Sequence, residues 1–260
     1  MPEGDTVFRT AARLREALAE HPLTRGELRH PRLSTVDLAG RVVVGVRPVG
    51  KHLFVRFDRD LSLHNHLRMD GIWQIGVPGQ RWRRPAHQIR AWLATAERQA
   101  IGFHLHDLAL VPTGEEDRVV GHLGPDLLDP AWGPELAAEA AARLRADGGR
   151  ELGQALLDQR VMAGVGNVYK SEVCAVLRVT PWTPVAEVDA DRAVQVSRDL
   201  LYRNRMRPER ITTGDPRRPQ WVYGRARYPC ARCGGRVTRV GTEERVTYYC
   251  PACQAGPGPR

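Results

Sequence analysis

The residues whose spacing speaks most directly to chemistry are two Cys-x-x-Cys pairs, Cys230/Cys233 and Cys250/Cys253. Each pair can sit on a tight turn that points both sulfurs at one ion. The sixteen residues between Cys233 and Cys250 leave room for a β-hairpin, over Arg236–Val240 and Val246–Tyr249 about a turn at Gly241-Thr242. Four thiolates complete a tetrahedral shell, so the pattern predicts one structural Zn2+ with no open catalytic position. Incidental pairs or two disulfides are the competing readings, and the sequence offers no secretion signal for the latter. The fifth cysteine, Cys174, falls in a helical stretch and is expected to be a packed apolar residue.

Charge adds a second constraint. Between residues 203 and 239 there are eleven Arg, opposed only by Glu209 and Asp215 and interleaved with Trp221, Tyr223 and Tyr228. Such a stretch suits tracking of a phosphate backbone, or else forms a solvated charged face. The chain carries a formal net charge of +9 and a pI near 9.9. That favours a polyanionic partner, nucleic acid ahead of anionic membrane, unless it reflects an arginine-rich proteome. Lysine occurs only at Lys51 and Lys170. Arg holds its proton near neutral pH, whereas Lys can lose it and offers a compact point charge, so both positions are candidates for chemistry. Gly164-Val165-Gly166-Asn167 is another: glycines let a partner approach the backbone, and exposed N–H groups beside an Asn can hold a phosphate.

Elements must position these groups. Val7, Ala11, Leu14 and Leu18 recur on one face and predict a helix over 5–20 with Asp5 as N-cap. Pro2 and Glu3 then stand at the end of that helix where an anion is favoured. Alternating runs at Val42–Val46 and Leu53–Phe57 flank Pro48-Val49-Gly50-Lys51, which places Lys51 at a tight turn. Further strands are expected at Leu61–His66, Gly71–Val77, Ile89–Thr95 and Ile101–Val111, which together suggest a β-sandwich or barrel. Beyond residue 133 the pattern turns helical, with Pro134 at a first helical position and later helices near 150–158, 166–177 and 189–204. Residues 207–221 read as a connection. The composition is 42% hydrophobic and 27% charged, as in globular chains. No apolar run approaches the roughly 18 residues of a membrane span, and the acidic N-terminus is unlike a signal peptide. A cytoplasmic protein is expected.

Several of these segments occur together in one known family. Pro2-Glu3-Gly4, GKHLF (50–54), HLGPDLLD (122–129), GVGNVYKSE (164–172) and the cysteine hairpin resemble, in order, the formamidopyrimidine-DNA glycosylases and endonuclease VIII. The resemblance spans essentially the whole chain and leans to the endonuclease VIII branch. It implies an α+β fold of two domains: an N-terminal β-sandwich with flanking helices (1–130), then a helix-two-turn-helix domain and linker (131–221) bearing a zinc finger (222–260). It implies Pro2 as nucleophile, Glu3 as acid/base partner and Lys51 as the hairpin-turn lysine near the damaged nucleotide. Asn167 and Arg245 match phosphate-binding residues. HLRMDG (66–71) resembles the loop that fills the gap left by a flipped base, with Met69 as the inserted side chain and Leu67 and Arg68 as rivals.

The implied activity is a bifunctional DNA glycosylase and abasic-site lyase of base excision repair, acting on damaged DNA as a monomer near the nucleoid. It would proceed through an iminium ion at Pro2, then β- and δ-elimination. The chemistry is self-consistent. An α-amino group has a pKa of about 7.7–8.0, so part of it is neutral near pH 7. A secondary amine forms an iminium that cannot discharge to a neutral imine. Two departures bear on substrate. The Arg-Phe-Gly loop of formamidopyrimidine enzymes is not evident at Gly102–Asp107, and Thr212–Pro219 is short where those enzymes cover a flipped purine. Oxidised pyrimidines are therefore expected ahead of 8-oxoguanine. The alternatives are an 8-oxoguanine or formamidopyrimidine glycosylase and a non-catalytic zinc-ribbon DNA-binding protein.

Overall fold

The computed structural model describes residues 2–241 and 246–259. By its internal contacts the chain divides into two units. Pro2 and Thr6–His122 belong to the first, while Glu3–Asp5 group with the second, which runs from Leu123 onward.

Helix α1 (Gly4–Leu18) leads into the first unit. Val7, Ala11, Leu14 and Leu18 are all buried, as their helical spacing requires. Two antiparallel four-stranded sheets follow. One has the order β2 (Val43–Val49), β3 (His52–Phe57), β4 (Leu61–His66), β8 (Asp107–Pro112). The other runs β1 (Arg25–Leu28), β6 (Ile89–Ala94), β7 (Gln99–Phe103), β5 (Ile72–Gly76). Leu53, Val55 and Leu63 of the first sheet share a core with Ala91, Leu93 and Ala100 of the second and Leu14 of α1. This is the sandwich the alternating runs predict.

Two departures have local causes. Strand β1 escapes the sequence reading because four residues, Arg25–Leu28, are too short for alternation to register. The single run expected over Ile101–Val111 is two strands in different sheets. His104 takes a left-handed conformation, with φ of 52°, and turns the chain from one sheet to the other. At the β2–β3 turn Val49 pairs with His52, and Gly50 has φ of 56°. A positive φ at the first turn position only is the pattern of a II′ hairpin, for which Gly is suited, and it sets Lys51 at the second position.

A buried carboxylate ties this sheet to the helical turn α2 (Asp117–Val120). Glu116 accepts from Arg56 at 2.6 and 2.8 Å, Arg47 at 2.8 Å and Ser62 at 2.7 Å. Burial alone would raise its pKa, but these donors outweigh it and hold the group at about 2.

The second unit contains α3 (Pro134–Arg145), α4 (Leu152–Leu157), α5 (Asn167–Leu177) and α6 (Ala190–Asn204), matching the predicted helices. Pro134 stands at the start of α3, and Asp189 caps α6 through the Arg192 N–H at 3.0 Å. Strands β9 (Thr238–Val240) and β10 (Thr247–Tyr249) form the expected hairpin. Val222, Val237, Cys230 and Cys250 pack with Ala175 of α5 in one small core. Cys174 is fully buried, and burial pushes its thiol up to about 12, as expected of a packing cysteine.

Candidate active site and zinc centre

Glu3 has no exposed surface, yet both oxygens of its carboxylate find donors. It accepts the backbone N–H groups of Gly166 at 2.8 Å, Val168 at 2.8 Å and Tyr169 at 3.3 Å. These are donors that the first turn of α5 leaves unsatisfied, so Glu3 caps α5 from the far end of the sequence. The approach demands glycine: a Cβ on Gly166 would lie 2.5 Å from Glu3 Cδ, and one on Gly4 would lie 3.0 Å from Gly164 Cα. The Gly4 N–H meanwhile donates to Gly164 O at 2.9 Å. Of the N–H groups in Gly164–Asn167 expected to face a phosphate, that of Gly166 serves Glu3 and that of Gly164 donates to Gln159 Oε1 at 3.0 Å. Asn167 sits at the start of α5, only 5% exposed.

Asp5 is not the N-cap of α1, which begins at Gly4. Its carboxylate is drawn instead into a buried cluster. Arg210 binds it through both oxygens at 2.7 and 2.8 Å, and the Tyr169 hydroxyl donates at 2.9 Å. Arg210 also lies over the Tyr169 ring, 4.7 Å from its centroid. Burial and the facing Asp5 both push the Tyr169 hydroxyl upward, so it remains a donor. Sequence reasoning gave Tyr169 no role and saw Arg210 only as one of many basic residues. Its partner lies 205 positions away, beyond any local signal.

Pro2 is half-buried and directly precedes Glu3. In the first unit, Lys51 is half-buried on its turn, followed by a histidine group that the sequence reading passed over. His52 pairs with His66 in the β3–β4 register, and its Nδ1 lies 2.9 Å from His64 Nε2. Burial, reinforced by mutual repulsion, brings all three imidazoles down to about 4, so they are neutral at pH 7. The loop at 66–71 separates its three candidates. Leu67 is in the core at 2% exposure, while Met69 is 57% exposed. Arg68 forms a two-point pair with Asp107 at 2.5 and 2.9 Å. Arg245 lies outside the described residues.

Two buried titratable groups organise the second unit. Glu172 accepts the N–H groups of Trp221, Val222 and Tyr223 at 2.8–2.9 Å, together with the Thr212 hydroxyl. It thereby fastens both ends of the 212–219 loop, closed by Thr212 N–H to Pro219 O at 2.7 Å. Lys170 is neither a solvated charge nor a surface contact. Its ammonium donates to Thr247 Oγ1 at 2.6 Å and Val246 O at 3.2 Å, linking α5 to β10. Burial lowers its pKa to about 8.

The four cysteine sulfurs converge. Cys230 and Cys253 are 3.7 Å apart, Cys233 and Cys250 3.6 Å. Zn–S bonds of about 2.3 Å in a tetrahedron put sulfurs about 3.8 Å apart, so the donor set fits Zn2+. One structural ion there fixes the hairpin.

Known proteins are similar to this chain in sequence and fold. Residues 1–108 match the formamidopyrimidine-DNA glycosylase N-terminal domain, and residues 229–256 match a zinc finger found in those glycosylases and in isoleucyl-tRNA synthetase. The probable endonuclease 8 2 of Streptomyces coelicolor is 56% identical, with 100% of this chain and 96% of that protein covered. The DNA-(apurinic or apyrimidinic site) lyase Nei2 of Mycolicibacterium smegmatis is 51% identical over 98% and 99%. A solved structure of Lactococcus lactis formamidopyrimidine-DNA glycosylase bound to abasic-site DNA aligns with a TM-score of 0.81 and 21% identity, covering 98% of this chain and 100% of that one. At 49–56% identity to the Streptomyces and Mycolicibacterium proteins and a further relative over 98–100% of its length, the chain belongs to the formamidopyrimidine-DNA glycosylase/endonuclease VIII family.

Proposed function

We propose that the protein is a bifunctional DNA glycosylase and abasic-site lyase of base excision repair, acting on damaged DNA. The observation that carries the reading is the fully buried carboxylate of Glu3, oriented by three backbone donors immediately after Pro2. The names of its relatives at 49–56% identity, endonuclease 8 and Nei2, support it.

Once Met1 is removed, Pro2 carries a secondary amine. Its lone pair attacks C1′ of the damaged nucleotide, and the C1′–base bond breaks. Opening of the sugar ring gives an iminium ion between Pro2 and C1′, with Glu3 protonating the ring oxygen. The iminium withdraws electrons, so a base can take a 2′ proton and the 3′ phosphate leaves. Loss of the 5′ phosphate follows by δ-elimination. Glu3 serves as proton carrier, since its geometry is fixed before substrate binds. Lys51 neutralises phosphate or assists proton transfer. Asn167 and Arg245 bind backbone phosphates, and Met69 fills the vacated position in the stack. The exposure of Met69 supports that role over Leu67, which is committed to the core, and over Arg68, which is paired. The protein acts as a cytoplasmic monomer near the nucleoid.

Borohydride trapping tests the assignment. A covalent adduct to a damaged oligonucleotide is expected, weakened by Pro2→Gly and abolished by an N-terminal tag. Undiminished trapping by the tagged protein rules Pro2 out. DNA binding with no adduct on any lesion favours the non-catalytic reading.

The preferred lesion is an oxidised pyrimidine. The turn at Phe103–Asp107 is given over to contacts with the 66–71 loop, and the 212–219 loop is closed on itself. Both leave little to probe or cover a purine. Faster single-turnover excision of 8-oxoguanine opposite C than of thymine glycol or 5-hydroxycytosine would place the protein in the other branch.

A further inference from the structure

Among the described residues, two groups of side chains bring metal-ligating atoms together: the four cysteines, and Asp70 with His104 and His106. The second group has no part in the chemistry above. His106 Nε2 lies 3.1 Å from one oxygen of Asp70, and His104 Nδ1 lies 3.4 Å from the other. Ligand atoms about 2.1 Å from a shared ion lie about 3.0 Å apart at right angles and about 3.4 Å apart in a tetrahedron. Both measured separations fall in that range. The two imidazole nitrogens are within 4.8 Å of each other, and the partial exposure of both rings leaves them room to rotate inward.

The backbone builds this convergence. His104 is left-handed, and the His106 N–H donates to His104 O at 3.0 Å, which makes a tight turn. Leu105, between them, is fully buried in the core. Anchoring the middle residue inward keeps both imidazoles on the outside of the turn. The nearby cation, Arg68, is already neutralised by Asp107.

We propose that Asp70, His104 and His106 bind a divalent transition-metal ion. Two imidazoles and one carboxylate suit Zn2+, Ni2+ or Cu2+ rather than Mg2+ or Ca2+, and three protein ligands leave coordination positions for water. The ion joins the β7–β8 turn to the loop carrying Met69, next to the Arg68–Asp107 pair. Stiffening of a DNA-inserting Met69 rests on the proposed function; the metal site does not.

Nickel is the probe, with full-length, zinc-loaded protein in equilibrium dialysis and both metals counted by elemental analysis. The wild type is expected to take up one Ni2+ while retaining its Zn2+. Asp70→Asn, His106→Ala and His104→Asn, the last tolerating the left-handed backbone, should each weaken Ni2+ binding at least about tenfold. The near-UV signal of the sandwich tryptophans Trp73 and Trp92 serves as the internal control for folding, since they lie in the same unit as the site. His64→Gln, in the separate histidine group, should leave Ni2+ uptake unchanged. Absence of Ni2+ uptake by the wild type overturns the proposal. So does uptake that survives His106→Ala or is lost in His64→Gln. Trapping of abasic DNA by the same preparations reports separately on Pro2.

Discussion

The Glu3 carboxylate accepts the Val168 N–H at 2.8 Å across 165 positions of sequence. One residue thus satisfies the start of α5 and occupies the position next to the proposed nucleophile. Structural and chemical roles are joined in one side chain, and a single substitution can separate them.

Glu3→Gln keeps the shape but turns an amide NH2 toward backbone donors. Loss of a helix cap of this kind costs about 1–2 kcal/mol, and urea unfolding should show it. Base excision should slow at least about 100-fold, while trapping on a pre-formed abasic site persists. Unchanged stability would remove Glu3 as the cap, and unchanged excision would remove it as the proton carrier.

Asp5→Ala leaves Arg210 as a buried cation without its carboxylate. Stripping one partner from a buried pair destabilises by about 3–5 kcal/mol. The double variant Asp5→Ala/Arg210→Leu should recover part of that loss, because no charge is then stranded. A double variant no more stable than Asp5→Ala in the same unfolding measurement would contradict this account.

Zinc should hold the hairpin and with it the DNA-binding surface. Structural zinc contributes on the order of 10 kcal/mol in small fingers. Cys230→Ser or Cys253→Ser should release the ion and abolish oligonucleotide binding, while the near-UV signal of the sandwich tryptophans Trp73 and Trp92 is retained. Metal-free protein with normal DNA cleavage would refute the structural assignment.

Acid should weaken the sandwich in two separable steps. His52, His64 and His66 are held near 4 chiefly by burial, against 6.5 when unfolded. Below about pH 6.5 the unfolded chain takes up protons that the folded one refuses, so stability is full above 6.5 and falls as pH drops to about 4. Glu116, held near 2, contributes stability above about 4.5 that is lost as pH falls towards 2. His64→Gln should flatten the first step and spare the second. A denaturation midpoint that stays constant from pH 7 to 4.5 would count against buried neutral histidines.

The sequence by itself determined what local spacing can encode. Two Cys-x-x-Cys pairs specify their ion because only two residues separate the cysteines of each pair, and the helical and alternating apolar residues reappear as α1, α3 to α6 and most strands. Gly50-Lys51 announced its turn in the same way. Tertiary structure decided the rest. Asp5 and Arg210, Glu3 and α5, Lys170 and β10, and Glu172 and residues 221–223 are matched only once distant segments meet. Each joins groups whose burial would be costly alone, so their partners follow from the desolvation they share and not from their neighbours in sequence. Met69 shows the division most simply. The motif offered Leu67, Arg68 and Met69 alike; the fold buried the first, paired the second and left the third exposed, because only packing decides which side of a loop faces the core.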